Sequence, residues 1–121
     1  MPRSESQSVS RQTRVEAALK KLIIRMSDCR AIRKSSILIR TVDGGGRAYY
    51  LDCSPESVKV TEAPLAPPTI EIIGNARNIE SLLLGKRDPR KLFFAGALRV
   101  RGDLRYLSNL AVELGILKQP L

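Results

Sequence analysis

The 121-residue sequence predicts an α+β fold built on one five-stranded, largely antiparallel sheet. Three observations carry that expectation. Apolar residues recur at helical spacing from Val15 to Met26, then switch to a period of two from Ser35 onward. Four strand-like runs follow one another before helical spacing returns after Gly74, so strands and helices are segregated rather than alternating. A mass of 13.4 kDa fits one domain and leaves little room for a second.

Residues 1–12 are polar and Ser-rich, and read as a disordered lead-in to a single domain over 13–121. Thr13 with Glu16 fits a capping box, so a helix is expected to start there. Val15, Ala18, Leu19, Leu22, Ile23 and Met26 define its buried face, with Arg14, Lys21 and Arg25 lining the edge beside it. The runs SSILIRTV and RAYYLDC flank Asp43-Gly44-Gly45-Gly46, which suits a hairpin turn. SVKV makes a third strand after the turn at Ser54-Pro55-Glu56. The prolines of APLAPP cannot donate to a sheet and mark a connection. PTIEII is the fourth strand.

Asn75 is a candidate N-cap for a helix with Ile79, Leu82 and Leu83 on its apolar face and Gly85 as its stop. Asp88-Pro89 opens a short helical turn, since proline suits the first helical position. ALRVR reads as the fifth strand, with Leu98 and Val100 on one face and Arg99 and Arg101 on the other. Asp103 caps a last helix carrying Leu104, Leu107, Leu110, Ala111 and Leu114 and stopping at Gly115.

The composition excludes several kinds of chemistry. Histidine is absent, which removes Ser-His-Asp and Cys-His nucleophile systems and every His-containing zinc site. Cys29 and Cys53 are too few for a four-ligand metal site and are expected as free, partly buried thiols. The glycine turn lacks the Gly-Lys-Ser/Thr ending of a phosphate loop and leads into a strand. Asp43 and Asp52 sit in or beside turns with nothing to tune them as an acid–base pair. No catalytic residue, metal ligand or cofactor is therefore expected. No apolar run approaches the ~20 residues that span a bilayer. The first dozen residues lack an apolar core of the secretory type, which points to the cytoplasm.

The formal charge of +9 is uneven: net +6 over residues 1–34, −2 over 35–74 and +5 over 75–121. Such a field attracts phosphates on lipid headgroups, coenzymes or nucleic acid. With no tryptophan and only three Tyr and two Phe, a base-stacking platform is thinly provided, so nucleic acid is the weakest of these partners. Phe93 and Phe94 stand side by side before the fifth strand. On a short helical turn both cannot face one core stripe, so one is expected in the core and the other at a cavity or a second element.

The stretch GKRDPRKLFFAGALRVRGD, residues 85–103, resembles the signature of the sterol carrier protein type-two family, the non-specific lipid-transfer or sterol-binding domains. Members run Gly-Lys, then Asn or Asp before Pro, then Phe-Phe-x-Gly-x-Leu-x-Ile/Val-x-Gly-Asn/Asp. Gly85, Lys86, Asp88, Pro89, Phe93, Phe94, Gly96, Leu98, Val100, Gly102 and Asp103 occupy those positions without a gap. Thr69 and Ile70 match the Thr-Ile strand upstream, and the hairpin with YYLD falls where the family has its glycine-rich turn. The C-terminal Gln-Pro-Leu departs from the Ser-Lys-Leu address of many eukaryotic relatives, and Pro67 and Pro68 replace polar residues.

The resemblance implies helices packed on one face of the sheet around an apolar ligand tunnel. It further implies non-catalytic binding, transfer or presentation of a sterol, fatty acyl chain, acyl-CoA, phospholipid or isoprenoid. Phe93, Phe94, Leu98, Val100, Leu107, Leu110, Ala111 and Leu114 are the lipid-binding candidates on this reading. The run KRDPRKLFF also resembles a bacterial branch that assists ubiquinone biosynthesis. The alternative function is accordingly an adaptor that presents a polyprenylated intermediate to biosynthetic enzymes. Ile116, Leu117 and Leu121 form an apolar tail expected to fold over the tunnel mouth. Arg99, Arg101 and Arg105 are expected at that end, where they would steer the domain to an anionic membrane.

Overall fold

The structure, a computed structural model, describes residues 3–64 and 66–119, with side chains from residue 11 onward. Helix α1 spans Arg3–Met26, and strands β1 (Ser35–Thr41), β2 (Arg47–Cys53), β3 (Val58–Thr61) and β4 (Ile70–Gly74) follow. Then come α2 (Ala76–Leu83), α3 (Pro89–Phe94), β5 (Leu98–Gly102) and α4 (Leu104–Glu113). The sheet order is β3-β2-β1-β4-β5. Three pairings are antiparallel, and the fourth, β1 with β4, is parallel. The sheet is thus mixed, because the proline-bearing connection carries the chain from the β3 edge across to the far side of β1. There Thr69 locks the crossing: its N–H donates to the Ser36 carbonyl at 2.7 Å, and its Oγ1 accepts from the Ser36 N–H at 3.1 Å.

The α1 helix corrects the expected start at Thr13, and with it the reading of 1–12 as disordered. Helix already runs from Arg3, and residues 1–2 lie outside the described residues. At Gln12, the last of residues 1–12, a physical reason is visible. This residue is 6% exposed, its Nε2 donates to Thr41 Oγ1 at 3.1 Å, and its Oε1 accepts from the Tyr49 hydroxyl at 3.0 Å. A polar residue satisfied in this way extends the buried face of the helix where apolar periodicity cannot register it. Glu16 makes no capping box. Its carboxylate accepts instead from Arg47 at 3.0 Å across the hairpin. Downstream, Val15, Ala18, Leu19, Leu22 and Met26 are buried as expected, and Ile23 is half-buried.

The hairpin turn needs its glycines. Gly44, Gly45 and Gly46 take φ of 62°, 86° and 69°, three successive left-handed residues that side chains would oppose. Asp43 before them acts structurally: its Oδ1 accepts from the Ala76 N–H at 2.8 Å, tying the turn to the start of α2. The caps form as read. Asn75 accepts from Asn78 N–H at 2.8 Å, Asp88 from Arg90 N–H at 3.0 Å, and Asp103 from Tyr106 N–H at 3.0 Å. Asp103 also pairs with Arg33, whose guanidinium lies 4.3 Å from the centre of the Tyr106 ring.

One inward face gathers the core. Ile37 and Ile39 of β1, Leu51 of β2, Ile70 and Ile72 of β4 and Leu98 of β5 are buried toward the helices. The outward rows carry exposed Arg40, Ala48, Lys59, Arg99 and Arg101. Leu38 is buried among them, aligned between Tyr50 and Glu71 on the neighbouring strands.

Glu113 closes the domain at the end of α4, accepting from the Arg30 N–H at 2.6 Å and the Ala31 N–H at 2.7 Å. These backbone donors hold its carboxyl below the usual range. Its stabilising contribution is therefore whole above the ordinary glutamate pKa of about 4.3 and is lost as pH falls through the lower folded value. Glu113→Gln is expected to melt below the wild type near neutrality, with the gap closing as pH falls below the ordinary glutamate range. A gap that stays constant in a melting series would contradict this role.

Candidate functional site

The helices do not close fully on the sheet. Between them lies a cavity of about 480 Å³, within the usual range for ligand pockets. Its deep wall is made by Leu22 and Met26 of α1, Ile37 and Ile39 of β1, Leu51 of β2, Ile72 of β4, and Leu82 and Leu83 of α2. Its rim is α3 and the first turn of α4, where Phe93 and Leu104 are each 49% exposed and Phe94 is 83% exposed.

All eight sequence candidates border this cavity: Phe93, Phe94, Leu98, Val100, Leu107, Leu110, Ala111 and Leu114. Periodicity explains the convergence. Leu98 and Val100 share the inward face of β5, while Leu107, Leu110, Ala111 and Leu114 recur at three and four along α4. Arg99 and Arg101 alternate with the β5 pair and are exposed on the opposite face of the sheet, away from the cavity. Arg105 is exposed on α4 beside Leu104.

The phenylalanine pair is arranged otherwise than expected. Neither ring enters the core, because Leu92, 6% exposed, takes the inward position of α3. The two rings meet edge to face at 5.8 Å on the cavity rim.

Among the described residues bordering the cavity, Arg90 is the one that is charged. It is half-buried, and its Nη2 donates to the Gln119 carbonyl at 2.8 Å. That contact fastens α3 to the tail, which turns back at Gly115 (φ 76°). Ile116 and Leu117 donate from their N–H groups to the Ala111 carbonyl at 2.9 and 3.1 Å, and both border the cavity. Pro120 and Leu121 lie outside the described residues.

The deep-wall residues were legible only as core, since a cavity wall and a packed core share one apolar signature. Pro89 and Arg90 carried no separate signal within the basic run. The wall offers no carboxylate, thiol or hydroxyl side chain. Both cysteines are free, and burial pushes each thiol up to about 11, which leaves them protonated and weakly nucleophilic at neutral pH. Among the described residues no group of three or more acidic or cysteine side chains is placed to hold a metal ion. Nor is any helix among them long and apolar enough to cross a membrane.

Sequence comparison decides the family: the profile of the SCP-2 sterol transfer family matches residues 16–113. The chain belongs to that family. No curated protein sequence matches it. Solved structures of the SCP-2 fold do. The palmitated sterol carrier protein 2 like 2 of Aedes aegypti superimposes with a TM-score of 0.63 at 13% identity, covering 88% of this chain and 96% of that one. Sterol carrier protein domain 2 of Helicoverpa armigera gives 0.59 at 16% identity, over 84% and 78%. A ubiquinone synthesis protein, UbiJ-SCP2, gives 0.55 at 22% identity, over 82% and 79%. At such identities the likeness speaks for the fold. This SCP-2 domain shares that fold with them.

Proposed function

We propose that this SCP-2 domain binds a lipid in its cavity, without catalysis, and transfers it or presents it to a partner. The observation that carries this reading is the wall itself: about 480 Å³ of space with Arg90 as its only charged border among the described residues. Water placed there would find few hydrogen-bond partners, whereas methylenes leaving bulk water gain about 0.8 kcal/mol each. An eighteen-carbon chain would gain on the order of 10 kcal/mol before ordering costs are subtracted. Phe93, Phe94, Leu98, Val100, Leu107, Leu110, Ala111 and Leu114 would contact the chain, and Arg90 would meet a carboxylate or phosphate head at the rim. Membership of a sterol transfer family supports the same reading. A ligand held for a biosynthetic enzyme is the second reading. The KRDPRKLFF run supports it, with a polyprenylated intermediate of ubiquinone synthesis in the same space.

Two substitutions test the site with a fluorescent fatty-acid probe. Phe94→Ala removes an exposed ring and is expected to weaken the probe about tenfold with little change in melting. Leu110→Ala, at a position 3% exposed, is expected to weaken the probe and also to lower stability by roughly 2–5 kcal/mol. If Phe94→Ala leaves probe affinity untouched and Leu110→Ala lowers stability alone, these side chains are packing residues and the reading fails. Mass spectrometry of lipid extracted from the purified protein separates acyl from prenyl ligands.

A further inference from the structure

Among the described residues, six large apolar ones are conspicuously exposed: Ile24, Val42, Val60, Phe93, Phe94 and Leu104. The first three are scattered, Ile24 on α1, Val42 just after β1 and Val60 on β3. The other three share the cavity rim. Around them the 86–91 run sets four cations, Lys86, Arg87, Arg90 and Lys91, against one carboxylate. That carboxylate, Asp88, is occupied in capping α3. Lys86, Arg87 and Lys91 are exposed, and none forms an ion pair with a described residue.

Exposed phenyl rings beside unpaired cations match the two layers of an anionic bilayer surface: the rings suit the acyl boundary and the cations suit lipid phosphates. We propose that α3 and the 84–88 turn before it dock this protein on an anionic lipid bilayer, with Phe94 entering the interface and Lys86, Arg87 and Lys91 holding headgroups. Docked this way, the cavity rim faces the membrane, and a chain could pass between bilayer and cavity without crossing water. That passage rests on the lipid-binding reading above, whereas the docking stands on the rim alone. The outer sheet face is the competing surface. Arg40, Arg99 and Arg101 are exposed there, but Leu38 is buried, Ile73 between Arg40 and Arg99 is half-buried, and Glu71 beside Arg101 offsets part of the charge.

The test is co-sedimentation of the full chain with phosphatidylcholine vesicles, with and without phosphatidylserine, at low and high salt. The wild type is expected to sediment only with phosphatidylserine and to be released as salt rises. Replacing Lys86, Arg87 and Lys91 together by Gln should lower partitioning on the order of 100-fold. Binding of the fatty-acid probe in vesicle-free solution should remain at the wild-type value. Phe94→Ser should lower partitioning about tenfold. Replacing Arg40, Arg99 and Arg101 together by Gln removes the same charge and should leave docking largely intact. The proposal is overturned if the wild type does not sediment, if both triple variants lose docking equally, or if only the sheet-face triple does. Displacement of the protein from vesicles by a single-stranded oligonucleotide at equal phosphate concentration would also overturn it, in favour of a nucleic-acid surface. Docking that persists in a protein unable to take up the probe would reject the lipid-binding reading alone.

Discussion

Ala111→Phe is expected to lower affinity for an eighteen-carbon fatty-acid probe near a hundredfold while leaving the domain as stable as the wild type or more so. Ala111 is 6% exposed, lies on α4 and borders the cavity. A benzyl group there occupies space that roughly four methylenes would fill, at about 0.8 kcal/mol each. The added ring carries no polar atom that needs a partner, and it fills a void rather than a packed interior. Chain length provides an internal control. A short probe that leaves part of the cavity empty should lose much less than a long one. Equal losses for short and long probes, or a melting temperature that collapses with affinity, would mean that the substitution disrupts packing instead of occupying a ligand's place.

Gly102→Ala is expected to destabilise the domain by about 3 kcal/mol or more. Gly102 ends β5 with φ 108°, a conformation that side chains rarely adopt. An added Cβ would run into the Thr69 carbonyl oxygen and lie 3.1 Å from the Ile70 Cα. That carbonyl cannot retreat cheaply, because it accepts from the Asp103 N–H at 2.9 Å, one residue before α4 begins. The same residue, Thr69, holds β4 against β1 through Ser36. One methyl group thus opposes the parallel pairing and the α4 cap together. Denaturant unfolding checks the expectation, and a loss below about 1 kcal/mol would show that the β5–β4 junction is softer than its contacts imply.

Local chemistry made much of this fold legible in advance. Asn75, Asp88 and Asp103 announced three helix starts because a short polar side chain before an apolar run has one favourable use. The triple glycine announced its turn because successive left-handed residues admit little else. The parallel pairing of β1 with β4 was not legible. Period-two spacing reports which face a strand buries and is silent on which neighbour it meets. The burial of Gln12 was not legible for a related reason: it depends on Thr41 and Tyr49, which are distant in sequence. At the site, the residues of α3 and β5 could be named because a family motif runs through residues 85–103, and those of α4 because apolar residues recur at helical spacing after Asp103. The deep wall could not, since Leu22, Met26 and Leu51 would look the same in a solid core. The Phe93–Phe94 pair was misjudged because Leu92, one residue earlier, already filled the inward position of the short helix.

On the proposed function, the space between sheet and helices holds one lipid chain. Native mass spectrometry after incubation with an eighteen-carbon fatty acid tests it most directly, with the Ala111→Phe variant measured alongside. The expected result is a one-to-one complex of the wild type that survives mild activation and is largely absent from the variant. A wild type that stays unliganded, or an adduct carried equally by both proteins, would contradict it.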